Sequence, residues 1–147
     1  MLQIVNSPGW LQYIGDRKVY STEDAVTYLE KGAIASYARN GFGLWMVEEK
    51  LSGIPVGLCG LIKRDGLADV DLGFAMLPEM EGRGFAFEAS RACLLVAKEL
   101  KLTRLVAITT MDNTASIRLL EKLGFRFETT TSLPGSNEVL NLFGLDL

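Results

Sequence analysis

An α/β fold is expected from three features of this chain. Apolar runs with strand-like alternation are interleaved with helical stripes along most of its length. One such run, Val70 to Leu77, passes through a glycine-rich turn directly into a helix. The 147 residues are 48% hydrophobic, enough for one buried core, and show no repeat, low-complexity segment or linker. Residues 1–147 therefore read as a single domain.

The elements follow in order. Ser7-Pro8 marks a helix start, with Ser7 as N-cap and Pro8 at the first helical position. Trp10, Leu11 and Ile14 form the apolar side of that short helix. Ser21 with Asp24 resembles a weak capping box. The helix after it, roughly Thr22 to Arg39, places Ala25, Leu29, Ala33 and Tyr37 on one face, and Gly41 and Gly43 end it. Leu44 to Glu49 and Ile54 to Lys63 read as strands joined at Ser52-Gly53, with Pro55 signalling an edge or a bulge. Ala68 to Leu77 is a third strand. Its alternation puts Ala68, Val70, Leu72, Phe74 and Met76 on one face and Asp69, Asp71, Gly73 and Ala75 on the other.

Beyond the turn, Phe85, Ala89, Cys93 and Val96 trace a buried stripe on a helix that closes near Leu100. Arg104 to Thr110 is a β-branched run expected to be a buried strand. Asp112 or Asn113 caps a helix through Leu123, and Gly124 supplies its left-handed end. Phe125 to Thr131 and Glu138 to Leu147 are the closing strands, around the loop Pro134 to Asn137.

Composition narrows the function. A net charge of -3 and a pI of about 5.0 argue against a nucleic-acid-binding surface. With no histidine and no CxxC pair, a metal site is not expected. Cys59 and Cys93 lie in apolar runs and read as buried free thiols, which suits a reducing cytoplasm. Met1 to Asn6 lacks the basic and apolar regions of a signal peptide, and no apolar run approaches the ~20 residues a membrane span needs.

The chemistry centres on Met80-Glu81-Gly82-Arg83-Gly84-Phe85-Ala86. Backbone N–H groups at a helix start have no intrahelical partner and sit at the positive end of the helix dipole. Such a turn takes anions, phosphates above all. Gly82 and Gly84 let the backbone approach a ligand closely. A P-loop would need a Gly-Lys-Ser/Thr run that is missing here. A dinucleotide fingerprint would need a third glycine where Glu88 and Ala89 stand. A plain structural turn is the competing reading of the glycines.

Two stretches bear on that choice. One is Asp71-Leu72-Gly73-Phe74-Ala75-Met76-Leu77-Pro78-Glu79, running into Gly82-Arg83-Gly84-Phe85-Ala86. The other is Asp112-Asn113-Thr114-Ala115-Ser116, continuing through Leu119-Leu120-Glu121-Lys122-Leu123-Gly124-Phe125. In this order, with a helix and a strand between them, they resemble the GNAT superfamily of acyl-CoA N-acetyltransferases, and more narrowly its RimJ/RimL-type branch. The resemblance covers Val70 to Glu128. It implies a mixed, strongly twisted sheet of six or seven strands with flanking helices. It also implies acetyl-CoA as co-substrate, held at its pyrophosphate by Gly82, Arg83, Gly84, Phe85 and Ala86. Glu81 departs from the family's Gln or Arg at the first position of that signature. The pantetheine arm would bond the backbone of Phe74, Ala75, Met76 and Leu77, where that strand splays from Arg104–Thr110. Asn113 and Ser116 would complete the cofactor contacts.

The implied reaction moves acetyl to a primary amine, either a protein N-terminus or a small molecule, within a ternary complex. A lysine-like amine near pKa 10.4 is almost wholly protonated at neutral pH, so a base is required. Asp71 is the leading candidate and Glu48 the next, each with a solvated or salt-bridged strand carboxylate as the competing role. The resemblance assigns the oxyanion donor to a backbone N–H near Met76. Many relatives protonate the departing thiolate with a tyrosine where this chain has Leu120, leaving Ser116, one turn earlier, as the candidate donor. Trp10, Tyr13 and Trp45 are candidates for an acceptor wall, with core packing as the alternative. The family's first strand has no counterpart in these residues; if that short form is genuine, a sheet edge is left uncovered, and a homodimer or an altered acceptor floor is expected. A non-catalytic acyl-CoA sensor with the same fold is the alternative reading.

Overall fold

The computed structural model describes residues Met1–Leu147. Helices α1 (Leu2–Val5), α2 (Pro8–Tyr13), α3 (Thr22–Leu29) and α4 (Ala35–Asn40) come first. Strands β1 (Leu44–Glu48), β2 (Pro55–Ile62) and β3 (Val70–Met76) follow, then α5 (Phe85–Glu99), β4 (Arg104–Thr110), α6 (Thr114–Leu123), β5 (Arg126–Thr131) and β6 (Leu140–Asp146). The strands form one mixed six-stranded sheet in the order β1-β2-β3-β4-β6-β5, all antiparallel except β3 with β4. No helix is long and apolar enough to cross a membrane.

Local chemistry accounts for most boundaries. Ser21 and Asp24 form a complete capping box at α3. Gly41 and Gly124 end α4 and α6 in the left-handed region. Pro55 sits opposite Glu48 where the β1–β2 register shifts, so the expected irregularity is a bulge beside the edge strand. Ser7 is the residue before α2, but its hydroxyl donates back to Ile4 O instead of capping α2.

Three expectations change. The single helix over residues 22–39 is interrupted by a π-helical turn, Glu30–Ile34, around Gly32. A π-turn rotates the helix face, so of the expected stripe only Ala25 is buried and Tyr37 is exposed. On α5 the buried positions are Ser90, Cys93 and Ala97; of the predicted stripe, Cys93 is buried and Ala89 and Val96 are half-buried against the same core. A short helix, α1, precedes the predicted start and buries Ile4 and Val5.

The sheet separates two cores. On one face α5 and α6 pack against Cys59, Leu61, Val70, Leu72, Leu105 and Ala107. On the other, α1 to α3 bury Ile4, Val5, Trp10 and Ala25 against Leu58, with Ala75 and Leu77 at the margin. The alternation predicted for the third strand is present: Val70, Leu72 and Phe74 serve the first core while Ala75 serves the second.

Candidate active site

The parallel pairing of β3 with β4 stops almost as soon as it begins. Only Val70 with Leu105 and Asp71 with Val106 are in register. Beyond them β3 stays bonded to β2 as far as Met76, and β4 stays bonded to β6 as far as Thr110. The two strands therefore part into a V whose inner edges have no strand between them. A cleft of about 1550 Å³ enters this V; Phe74, Ala75, Met76 and Leu77 line one arm and Ala107, Ile108, Thr109 and Thr110 the other.

At the wide end of the V lies the glycine-rich turn. Gly82 and Gly84 have φ of 71° and 89°, and a Cβ built on either would meet nothing within 4 Å. Both the conformation and the open space in front of them suit glycine. Gly84 is the N-cap of α5, and the first bond of that helix runs from Glu88 N to Gly84 O. None of the six N–H groups from Gly82 to Phe87 donates to the protein. Six unused donors at the start of a 15-residue helix form an anion cradle. The residues present thus fit a pyrophosphate.

Side chains around the turn differ from expectation. Arg83 turns back, with Nη2 3.4 Å from Glu49 Oε1 and its guanidinium over the Phe85 ring, and it is absent from the cleft wall. The Glu49 carboxylate and the ring offer it a nearer partner than the cleft. Lys122 supplies the cation instead: it lies on the cleft, with its ammonium 4.4 Å from the centre of the Phe87 ring. Nothing local in the sequence marks Lys122, because its proximity to the turn arises from the packing of α6 on α5.

Helix α6 provides the third wall. Asn113 Oδ1 accepts from Ser116 N at 3.1 Å and caps the helix, which leaves the Asn113 amide nitrogen unengaged. Ser116 is half-buried and its hydroxyl makes no protein hydrogen bond. Leu120 is fully buried and presents only methyl groups. Asn113, Ser116 and Leu120 all line the cleft.

Asp71 stands at the apex of the V on the face of Ala75, the side covered by α1 to α3. It is 1% exposed, and its Oδ2 accepts from Arg64 Nε at 2.5 Å. Oδ1 has no hydrogen-bond partner, although the Ile108 amide faces the carboxylate at looser geometry. Burial pushes the carboxyl above the usual carboxylate range, and the Arg64 charge opposes that shift. The other buried side-chain atoms without partners are Trp10 Nε1, Thr109 Oγ1 and Thr110 Oγ1, and all three residues line the same cleft. Buried polar groups are ordinarily satisfied, so these atoms are left for water or a ligand in the cleft to bond.

The remaining candidates separate. Trp10 and Tyr13 line the cleft. Trp45 does not: it packs on the main core and stacks with Tyr37 at 6.4 Å between ring centres. Glu48 is exposed on the edge strand, away from the cleft.

A split parallel pair with an anion cradle at its open end is a shape that comparison with known proteins can test. The family model described as the acetyltransferase (GNAT) domain matches residues 1–126. The chain belongs to the GNAT acetyltransferase family. It is 32% identical over 93 residues to YkkB of Bacillus subtilis (strain 168), an alignment covering 61% of this chain and 54% of that protein. The chain thus spans about half the length of that curated relative. Among solved structures, a GNAT-family acetyltransferase from Bacillus anthracis superposes with a TM-score of 0.79 at 26% identity, covering 99% of this chain and 86% of that one. YncA of Salmonella typhimurium, an acetyltransferase described with its cofactor acetyl-CoA, superposes at 0.69 with 21% identity, over 89% and 76% of the two chains. The GNAT fold, expected as a sheet of six or seven strands, has six here.

Proposed function

We propose that residues 1–147 form one acetyl-CoA-dependent N-acetyltransferase domain that transfers acetyl to a primary amine by direct attack in a ternary complex. The observation that carries this reading is the run of six unused amides at Gly82 to Phe87, set at the mouth of the β3–β4 split. The phosphates bind that run, with Lys122 as counter-charge. The pantetheine arm lies along the unpaired edge of β3 from Phe74 to Leu77, and Asn113 and Ser116 face it from α6.

The alternation of the strands divides the labour between the two faces. Thr109 shares the α6 face of β4 with Leu105 and Ala107, so the donor thioester meets Thr109 and Ser116 there. Asp71 lies on the opposite face, from which the amine arrives. Its raised pKa makes it a stronger base than an exposed carboxylate, and, being buried, it takes the amine proton through a chain of waters. A backbone N–H on the splayed edge of β3, near Met76, receives the oxyanion. A thiol pKa near 8.5 leaves only a weak donor to be supplied to the departing sulfur, a role for Ser116 beside the aliphatic Leu120.

The RimJ/RimL-like pattern of β3 and α6 supports an α-amine acceptor, with a pKa near 7.7–8.0 that leaves part of it neutral. A cytoplasmic location, where thiols stay reduced, suits the two free buried cysteines. Edge strand β1 is where a second copy would pair to form a homodimer.

Thermal unfolding with and without acetyl-CoA tests the donor site. At 100 times its dissociation constant the ligand stabilises the fold by about 2.7 kcal/mol, a rise of several degrees in Tm. No rise would overturn the reading. A rise without turnover of any primary amine would favour the acyl-CoA sensor over the enzyme.

A further inference from the structure

The acceptor half of the cleft is basic, in a chain whose net charge is -3. Arg17, Lys31, Arg39, Lys63 and Arg64 line it as cations, against the carboxylates of Asp71, which is paired with Arg64, and of Glu79 and Glu81. These charges do not serve the phosphates of the acyl donor. Arg64 is bonded to Asp71 at the apex of the V, and the phosphate turn begins after Met76, beyond the other end of β3. Five residues of strand separate the two, roughly 16 Å.

Arg64 is the cation beside the candidate base. Its Nε is fixed by a buried carboxylate, which orients the guanidinium plane. Its two terminal nitrogens have no protein partner, and the side chain is 29% exposed on the cleft. A guanidinium held at one edge and open at the other presents a fork that matches a carboxylate in two parallel bonds. Trp10 Nε1, which can only donate, is also unsatisfied on this side of the cleft. The only unsatisfied acceptor here without a hydrogen of its own is Asp71 Oδ1. The unfilled bonding capacity therefore asks for one N–H-bearing group next to Asp71 and for anionic oxygens next to Arg64.

We propose that the acceptor is a small amine carrying a carboxylate close to the amine, an α-amino acid in its simplest form, and that Arg64 is the residue that docks this carboxylate. The amine and carboxylate of such a molecule are attached to one carbon, as close to each other as the Arg64 fork is to Asp71. Polycationic amines are disfavoured, because cations outnumber carboxylates along this wall. The inference rests on the acetyl-transfer reading of the same site.

The test compares matched acceptors with acetyl-CoA as donor, following thiol release and the mass of the product. Leucine is set against leucinamide and isoamylamine, phenylalanine against phenylalaninamide and phenethylamine, and spermidine and an amidated peptide complete the panel. Loss of the carboxylate is expected to lower kcat/KM by about 10- to 100-fold, the worth of a hydrogen-bonded charged group. Arg64→Lys keeps a positive partner for Asp71, so the fold is retained, but it removes the fork. It is expected to lower kcat/KM for the amino acid about tenfold more than for its decarboxylated partner. An equal loss on both members of a pair would assign Arg64 a purely structural role and overturn the inference. So would turnover of the amides, the peptide or spermidine as fast as the amino acids, or turnover of no member while acetyl-CoA still raises Tm. Those outcomes leave the donor site standing, whereas failure of acetyl-CoA to raise Tm overturns both readings.

Discussion

In the proposed reaction, Asp71 is where the chemistry and the stability of this chain meet. Its carboxyl titrates above the usual carboxylate range because it is buried, and only the ionised form accepts a proton. Activity is therefore expected to rise with pH through that raised pKa, giving kcat/KM an acid limb displaced upward from an ordinary aspartate. Asp71→Asn should remove the limb and lower kcat by about 10²- to 10⁴-fold. A pH–rate profile of the two proteins decides the matter, and an unchanged limb in the variant would assign the base elsewhere. Stability runs the other way. The folded state binds the Asp71 proton more tightly than the unfolded chain, so this contribution is complete below the unfolded pKa and is lost as pH rises through the folded one.

At the scale of the element, the turn into α5 carries the most specific demand on sequence. Gly84 combines a φ of 89° with open space where a side chain would go. Gly84→Val meets no clash but strains the backbone by about 1–2 kcal/mol, since a β-branched residue is a poor fit to the left-handed region. The variant is expected to fold, seen as a far-UV spectrum like that of the parent, and to lose the thermal shift given by acetyl-CoA. A retained shift would detach the phosphates from this turn. The turn was legible in the sequence because glycine pattern, dipole and backbone donors are local properties. The capping box at Ser21, the Asn113 cap and the Gly124 end were legible for the same reason. What depended on packing was not. The Lys122 position follows from α6 meeting α5, and the turning of Arg83 toward Glu49 joins residues 34 apart in the chain. The π-turn at Gly32 carries no hydrophobic periodicity to announce it. Asp71 was placed on the correct face by alternation, but its partner Arg64 lies on the preceding loop and was read only as part of a turn signal.

Across the whole molecule, the two thiols report on how firmly the halves of the site are held together. Cys59 lies on β2, the strand that supports β3 along its length; Cys93 lies on α5, whose first turn is the anion cradle. Both are buried in the main core and their sulfurs are 3.6 Å apart, so a thiol reagent reaches them only when α5 lifts from the sheet or the chain unfolds. Either event takes apart the V and the cradle together. On the proposed donor site, an acetyl-CoA molecule that spans them must dissociate first, and the open population falls by the factor 1 + [L]/Kd. Where opening and closing are fast relative to the reagent, labelling at 100 times the dissociation constant is expected to slow by about 100-fold. Quenched labelling followed by intact mass measures this directly, with Asn113 and Lys122 untouched. A labelling rate indifferent to acetyl-CoA would mean that α5 opens without disturbing the ligand, and the pyrophosphate would then have to be bound away from the amides of Gly82 to Phe87.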